Sequence, residues 1–197
     1  MKKIAFIINY DYRKWMGGIN VIKNLINSLR LFSTEYNAVL VVKKNLSDDE
    51  KSYLKDFNLL ETNFFNNRSF TFRLLNKLLV IFFGRSFIYD NFFKKNNINI
   101  VSHINVFNYN LIFGRKSIVK SFSFVTDLQH IYFKKNFSFR KRLMRNINIR
   151  LCSLFSTRII LCGKTSLLDI KKVSKTAFKN SYISKFVFKN PDVEKII

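Results

Sequence analysis

The chain alternates short continuous apolar runs with longer segments in which apolar residues recur every three or four positions. Short apolar runs are typical of strands buried on both faces of a parallel sheet, and the longer period is that of an amphipathic helix. Strands are predicted at 4–8, 38–42, 98–101, 118–125, 158–161 and 182–188. Helices are predicted after Gly18, at 71–83, at 86–95, from Asn136 or Ser138 to about 155, and at 164–172. Between 62 and 97 the pattern is less regular. The alternation predicts an α/β fold with a parallel sheet flanked by helices.

The faces of the predicted helices indicate how they pack. A short helix is expected after Ser47, a favourable N-cap that is followed by three acidic residues in the first turn. The helix after Gly18 has one apolar face, made of Ile19, Ile22, Ile26 and Leu29. The helix at 138–155 is predicted to bury a stripe made of Phe139, Leu143, Ile147, Leu151 and Leu154. Five basic residues accompany that stripe: Arg140, Lys141, Arg142, Arg145 and Arg150.

A basic amphipathic helix of this kind has two interpretations. It either lies against anionic lipid or simply presents a solvated charged face. The segment 70–95, which mixes phenylalanines with basic residues, offers the same choice between contact with lipid or acceptor and a place in the core.

Length and charge narrow the class of protein. The 197 residues are enough for one domain with its own core, and 48% of them are hydrophobic, as in a globular protein. The net charge of +23 suggests an anionic partner: a membrane surface, a nucleic acid or a phosphorylated ligand. AT-rich codons would also enrich Phe, Lys, Asn and Ile at the expense of Gly and Pro. The charge alone therefore does not show whether it reflects an anionic partner or codon usage.

Metal and redox chemistry find little support. The two cysteines, Cys152 and Cys162, lie ten residues apart and the chain has two histidines, so no zinc-site spacing is present. Two buried thiols in a reducing compartment are expected. Neither a signal peptide nor an apolar stretch long enough to span a bilayer is recognisable. A cytoplasmic protein is expected, with peripheral association at the inner face of the membrane left open.

Two short segments carry candidate chemistry. Gly17 and Gly18 stand between the first strand and an amphipathic helix, where close backbone approach and free amides favour a phosphate. A tight turn without a ligand is the alternative. Asp127 and His130 follow the strand that ends at Val125. An imidazole beside a carboxylate suits proton transfer or the orientation of a hydroxyl, whereas a loop-capping Asp with a partly buried His is the plainer interpretation.

A third segment imitates a nucleotide-binding loop. Gly163 is followed by a lysine and a threonine, as at the end of a P-loop. The first glycine of that motif would fall at Arg158, which cannot wrap a triphosphate, so an NTPase is excluded.

Together these segments resemble a known family. The strand followed by Trp15-x-Gly-Gly-x-Asn20 and a helix is similar to the opening of GT-B-fold glycosyltransferases that use nucleotide sugars. Asp127-Leu-Gln-His130 resembles the Trp-Ile-Pro-Asp-Phe-Gln-His stretch of a bacterial subgroup, of the family 4 or family 1 kind. Ile159 to Ile170 is similar to the strand and Ser-Ser-x-x-Thr-x-x-Asp segment that follows in that subgroup.

The resemblance implies a Rossmann-like, acceptor-side domain at 1–190, with 191–197 as the start of a linker to a missing donor domain. It implies that Gly17 and Gly18 approach the donor diphosphate. It also implies that Asp127 and His130 are the catalytic residues lining the cleft, with a nucleotide-diphosphate sugar as donor substrate and no metal or other cofactor. The partners would be a donor-domain subunit, a glycan or lipid-linked acceptor and an anionic membrane surface, with nucleic acid disfavoured.

Several positions depart from the family pattern. Val125 and Thr126 replace the usual Ile-Pro, Leu128 replaces an aromatic residue, and Cys162-Gly163 stands where paired serines are common. The paired glutamates of the donor domain have no counterpart, since Glu194 is alone in the tail. The chain alone is therefore expected to be inactive, as a truncated product or as one subunit of a split enzyme. A non-catalytic basic module that binds anionic membrane or nucleic acid is the alternative.

Overall fold

The computed structural model describes residues 1–8, 16–64, 69–107 and 113–184. Seven strands lie in these residues: β1 (Lys2–Ile8), β2 (Tyr36–Val42), β3 (Leu59–Glu61), β4 (Ile98–Asn105), β5 (Lys120–Val125), β6 (Arg158–Leu161) and β7 (Ser181–Ile183). They form one sheet in the order β3-β2-β1-β4-β5-β6-β7, and every neighbouring pair is parallel. The predicted α/β fold with a parallel, Rossmann-like sheet is confirmed.

The strand order reverses direction at β1. The chain first adds β2 and β3 on one side of β1, and then places β4 to β7 on the other. The carboxyl ends of β1 and β4 therefore border a crevice, which is where open α/β sheets bind ligands. Because β5 pairs in parallel with both β4 and β6, the loops after Asn105, Val125 and Leu161 leave the same edge.

Helices cover the sheet: α1 (Met16–Phe32), α2 (Asp48–Leu54), α3 (Phe70–Phe83), α4 (Phe87–Lys95), α5 (Gln129–Tyr132), α6 (Phe139–Phe155), α7 (Lys164–Val173) and α8 (Lys175–Lys179). The capping prediction at Ser47 is confirmed, because its hydroxyl accepts the Glu50 amide and the Glu50 carboxylate accepts the Ser47 amide at 2.9 Å. Helix α1 begins at Met16, so Gly17 and Gly18 form its first turn rather than a turn before it.

Alternate residues of β1 feed opposite layers of core. Ile4, Phe6 and Ile8 pack with Ile19, Ile22 and Ile26 of α1, as the apolar face of that helix predicts. Ala5 and Ile7 pack on the other side, in a cluster with Tyr89 and Phe93 of α4. A third cluster joins α6, β6 and α7 through Ile149, Ile159 and Ile170. Burial on both faces explains why these strands read as continuous apolar runs.

Strand β4 contains an irregularity at His103. This residue has a φ of 54°, in the left-handed region, and the β4–β5 register shifts between Val101 and Ile104. One extra residue on one strand of a pair is a β-bulge, and positive φ is one of the conformations that it adopts. The bulge places the buried His103 ring between Phe6 and Phe124, at centroid distances of 5.8 and 5.1 Å.

Some predicted boundaries are wrong. The strand predicted at 98–101 continues to Asn105, and the one predicted at 118–125 begins at Lys120. Strand β3 and helix α8 were not predicted, since each has at most five residues and a weak pattern. Of the strand predicted at 182–188, the described part is β7; residues 185–190 and the linker predicted at 191–197 lie outside the described residues, as does Trp15.

The buried stripe predicted for α6 is wrong. Phe139 is 70% exposed and Leu143 47% exposed, and Ile147 and Leu154 are exposed as well. The buried face instead carries Asn148, Ile149, Cys152 and Ser153. On this face the side-chain amide of Asn180, the residue after α8, donates to the Ser153 carbonyl at 3.2 Å. Hydrophobicity alone does not reveal a face that is buried through hydrogen bonds.

Segment 70–95 belongs to the core only in part. Tyr89 and Phe93 of α4 are core, whereas α3 exposes Leu74, Leu75, Leu78, Ile81, Phe82 and Phe83. Among the described residues, no helix is long and apolar enough to cross a membrane.

Candidate functional site

Asp127 lies in the loop that leaves the carboxyl end of β5. Its Oδ1 accepts the backbone amide of Gln129 at 3.3 Å and a guanidinium hydrogen bond from Arg145 of α6 at 3.2 Å. The carboxylate therefore does two things: it shapes the turn into α5 and ties that turn to α6. The loop-capping interpretation of Asp127 is correct, and the ion pair is an addition to it.

Arg145 is held between two aromatic rings. Its guanidinium carbon lies 4.0 Å from the ring centroid of Phe107, just after β4, and 4.7 Å from that of Phe137, just before α6. Stacking of this kind fixes a planar cation that is already paired with Asp127. The carboxyl ends of β4 and β5 and the start of α6 are thus joined into one cluster, in which the Arg145 side chain is only 14% exposed.

His130 lies in α5 at the base of the same cluster and is 2% exposed. Its Nε2 is 2.9 Å from Oδ1 of Asn146, and its ring meets Phe107 and Phe137 edge-on. The other ring nitrogen, Nδ1, is buried and has no hydrogen-bond partner in the described residues. Asn146 fixes the ring, and Nδ1 is left for a further contact.

Burial sets the charge of His130. Desolvation lowers the pKa of the imidazole, and the nearby Arg145 and Arg142 lower it further, against opposing effects of Asn146 and Asp127. The Asp127 carboxylate raises the pKa, as a neighbouring anion should, but the desolvation of the ring outweighs it. At neutral pH the ring is uncharged and can accept a proton or a hydrogen bond.

The glycine pair lies at the same edge of the sheet as this cluster, with β4 between them. Gly18 is buried, whereas a side chain at Gly17 would meet no heavy atom of the described residues within 4 Å. The amides in the first turn of α1 have no acceptor within the helix. Gly17 therefore has open space and backbone donors beside it, as a phosphate would need. This does not require the glycines to contact Asp127 or His130.

The loop after β6 completes this edge. Gly163 is the N-cap of α7, and the Cys162 thiol lies 3.9 Å from the Thr126 carbonyl. Cys152 is buried as expected, but Cys162 is exposed, so the prediction of two buried thiols is wrong for Cys162. Cys162 follows the last residue of β6, at the edge of the sheet that faces solvent. Within the described residues, no three His, Cys, Asp or Glu side chains gather to hold a metal ion.

Sequence reasoning missed the residues that organise this site. Arg145 was assigned to a general basic face, and Asn146, Phe107 and Phe137 were not considered. Arg145 follows Asp127 by eighteen residues, so only the return of α6 along the sheet brings the two together. Arg145 shares its side of α6 with Lys141 and Arg142, so no local pattern set it apart.

Comparison with known proteins gives a match in fold. Neither a protein-family model nor a curated protein sequence matches the chain. Among solved structures it is similar to MnaA from S. aureus in complex with UDP, with a TM-score of 0.53 and 11% identity over 93% of this chain and 43% of that one. It is also similar to UGT89C1 from Arabidopsis thaliana complexed with UDP-L-rhamnose, with a TM-score of 0.53 and 11% identity over 95% and 53%.

The fold is Rossmann-like and consistent with a GT-B-type domain. At 11% identity the likeness concerns the course of the backbone alone. The chain spans about half the length of these two proteins.

Proposed function

We propose that this chain is the acceptor-side half of a GT-B-like glycosyltransferase. It would transfer a sugar from a nucleotide-diphosphate donor to a hydroxyl of a glycan or lipid-linked acceptor. The observation that carries the proposal is the cluster at the carboxyl edge of the sheet: a buried, neutral His130 with one open ring nitrogen beside the Asp127–Arg145 pair. The two similar structures support it, because both were solved with a UDP group.

Each group has a defined task in this reaction. His130 contacts the reacting sugar or the acceptor hydroxyl, and as a neutral base it is suited to accept the proton that the hydroxyl loses. Asp127 and Arg145 hold the loop that carries His130. The amides around Gly17 stabilise negative charge on the departing diphosphate. A second domain, on this chain or on a partner, supplies most of the donor site.

The exposed stripe of α6 supports membrane association. Phe139 and Leu143 project from a helix that also carries Arg140 and Lys141, which are exposed. Apolar side chains flanked by basic ones suit the interface of an anionic bilayer, and a lipid-linked acceptor would be found there. The same surface favours the second candidate function, a non-catalytic module that binds anionic membrane.

A variant at His130 tests the chemistry. With the donor-side domain present, His130→Gln should lower the rate of sugar transfer from a UDP-sugar roughly 10²–10⁴-fold, the usual contribution of a general base. Lys55→Ala, at an exposed residue that ends α2 and therefore lies away from the carboxyl edge of the sheet, should leave the rate unchanged. Equal rates in both variants would remove His130 from the mechanism.

A second experiment tests the membrane surface. Replacing Phe139 and Leu143 with serine should release the chain from vesicles rich in phosphatidylserine. Replacing Leu31 and Phe32 with serine removes a leucine and a phenylalanine that are at least as exposed, at the end of α1, and serves as the control. If both variants co-sediment with vesicles as well as the parent chain does, α6 is not the membrane contact.

A further inference from the structure

A basic pocket lies on the flank of the sheet, between α5, α6 and α7. It has a volume of about 220 Å³, far more than the roughly 10–15 Å³ needed for one water. Arg142, Asn146 and Arg150 line it from one face of α6, since residues four apart in a helix share a face. Lys134, just after α5, and Lys172, near the end of α7, stand on the other sides.

Three of the four cations in this pocket lack a carboxylate partner. Within the described residues, Asp169 pairs with Lys172 at 3.1 Å, but no acidic side chain pairs with Lys134, Arg142 or Arg150. No acidic residue is among those that line the pocket. The positive charge gathered there is therefore not neutralised by the described part of the protein.

Two buried polar atoms of the lining residues also lack partners. Nε of Arg142 is a permanent donor, and it has no acceptor among the described residues. Nδ1 of His130, in a side chain that is 98% buried, is likewise unpartnered there. Unsatisfied buried polar atoms are rare in proteins because each one costs free energy. One is a donor and the other, Nδ1 of the neutral ring whose Nε2 donates to Asn146, is an acceptor; together they suit a group that carries both oxygens and a hydroxyl, such as a monohydrogen phosphate.

We propose that this pocket binds a phosphate group. A carboxylate carries one negative charge, whereas a phosphate monoester or diphosphate carries more and so matches three unpaired cations better. The guanidinium of Arg142 offers its Nε and a terminal nitrogen to two phosphate oxygens, the geometry that arginine favours. The pocket shares His130 and Asn146 with the candidate site, but phosphate binding there requires no sugar donor, so its test does not depend on the transferase function.

The test is a titration of the full chain with inorganic phosphate and pyrophosphate, followed by calorimetry at constant ionic strength. Arg142→Gln should weaken binding roughly tenfold or more, the effect of losing a charge-assisted hydrogen bond. The matched control is Arg140→Gln, which removes the same charge from an exposed position on the same helix and should change affinity by no more than about twofold. Equal weakening in both variants would mean that phosphate responds only to net charge and would overturn the proposal.

A second arm distinguishes free phosphate from a lipid headgroup. If the ligand is a lipid headgroup, co-sedimentation with phosphatidic acid vesicles should depend on Arg142 and should be competed by phosphate. If the ligand is a soluble phosphate, the titration should depend on Arg142 and co-sedimentation should not. Independence of Arg142 in both arms contradicts the site. Circular dichroism checks the fold of each variant, and Arg150→Gln, which alters an exposed lining residue, replaces Arg142→Gln if the latter does not fold.

Discussion

The buried His103 makes stability depend on pH. Desolvation in the core lowers the pKa of this imidazole from 6.5 to about 4. Below pH 6.5 the unfolded chain takes up a proton that the folded chain still excludes, so the free energy of unfolding falls as the pH falls and levels off near pH 4. The separation of about 2.5 pH units, at about 1.4 kcal/mol per unit, corresponds to a loss of about 3 kcal/mol between pH 7 and pH 4.

The substitution that isolates this effect is His103→Asn. Asparagine does not titrate in this range and tolerates the left-handed backbone that position 103 adopts, with its φ of 54°. The variant loses the ring contacts with Phe6 and Phe124, so it should be less stable than the parent at pH 7. Its stability should nevertheless fall less on acidification, because the excluded proton is gone.

Urea unfolding measured by circular dichroism at pH 7, 6, 5 and 4 gives the comparison. His130, whose pKa is also lowered, and the high positive charge act in both proteins and cancel in the difference. The free energy of unfolding of the parent minus that of His103→Asn should therefore fall by about 3 kcal/mol from pH 7 to pH 4. A difference that stays constant over this range would refute the argument that burial excludes the proton from His103.

Three further predictions concern single side chains. Ser47→Ala removes the N-cap of α2 and should lower the free energy of unfolding, measured in urea, by about 1 kcal/mol. Gly114→Ala should lower the free energy of unfolding by about 2 kcal/mol or more, because φ at this position is 95° and the new Cβ would lie 2.3 Å from a backbone oxygen. Gly17→Ala has open space and should change the free energy of unfolding by less than about 1 kcal/mol. A maleimide should label the exposed Cys162 of the folded chain; buried Cys152, whose pKa burial raises to about 11, should react only after unfolding.

Long buried elements were predictable from sequence because burial on both faces leaves an unbroken apolar run, as at Ile4–Ile8. The helix start at Ser47 was predictable because capping is local chemistry. The exposed stripe of α6 was not predictable, because an apolar face need not pack in the domain's own core. The face of α6 around Ser153 is buried instead, where Asn180 hydrogen-bonds to it.

The candidate site was predictable only in its local part. Asp127 and His130 are close in sequence, so their shared loop could be found from spacing. The partners that fix them, Arg145 and Asn146, come from a helix that returns along the sheet. The charge of His130 could not be inferred either, because its lowered pKa depends first on burial.

The most direct test of the proposed function is to incubate the chain with UDP-sugars and acceptor, with and without a donor-side domain, and to measure sugar transfer. The account predicts transfer only when the donor-side domain is present, and its loss in His130→Gln. Absence of transfer from every nucleotide sugar in the presence of a donor-side domain, together with retained binding to anionic vesicles, would contradict the account and leave a non-catalytic membrane-binding module.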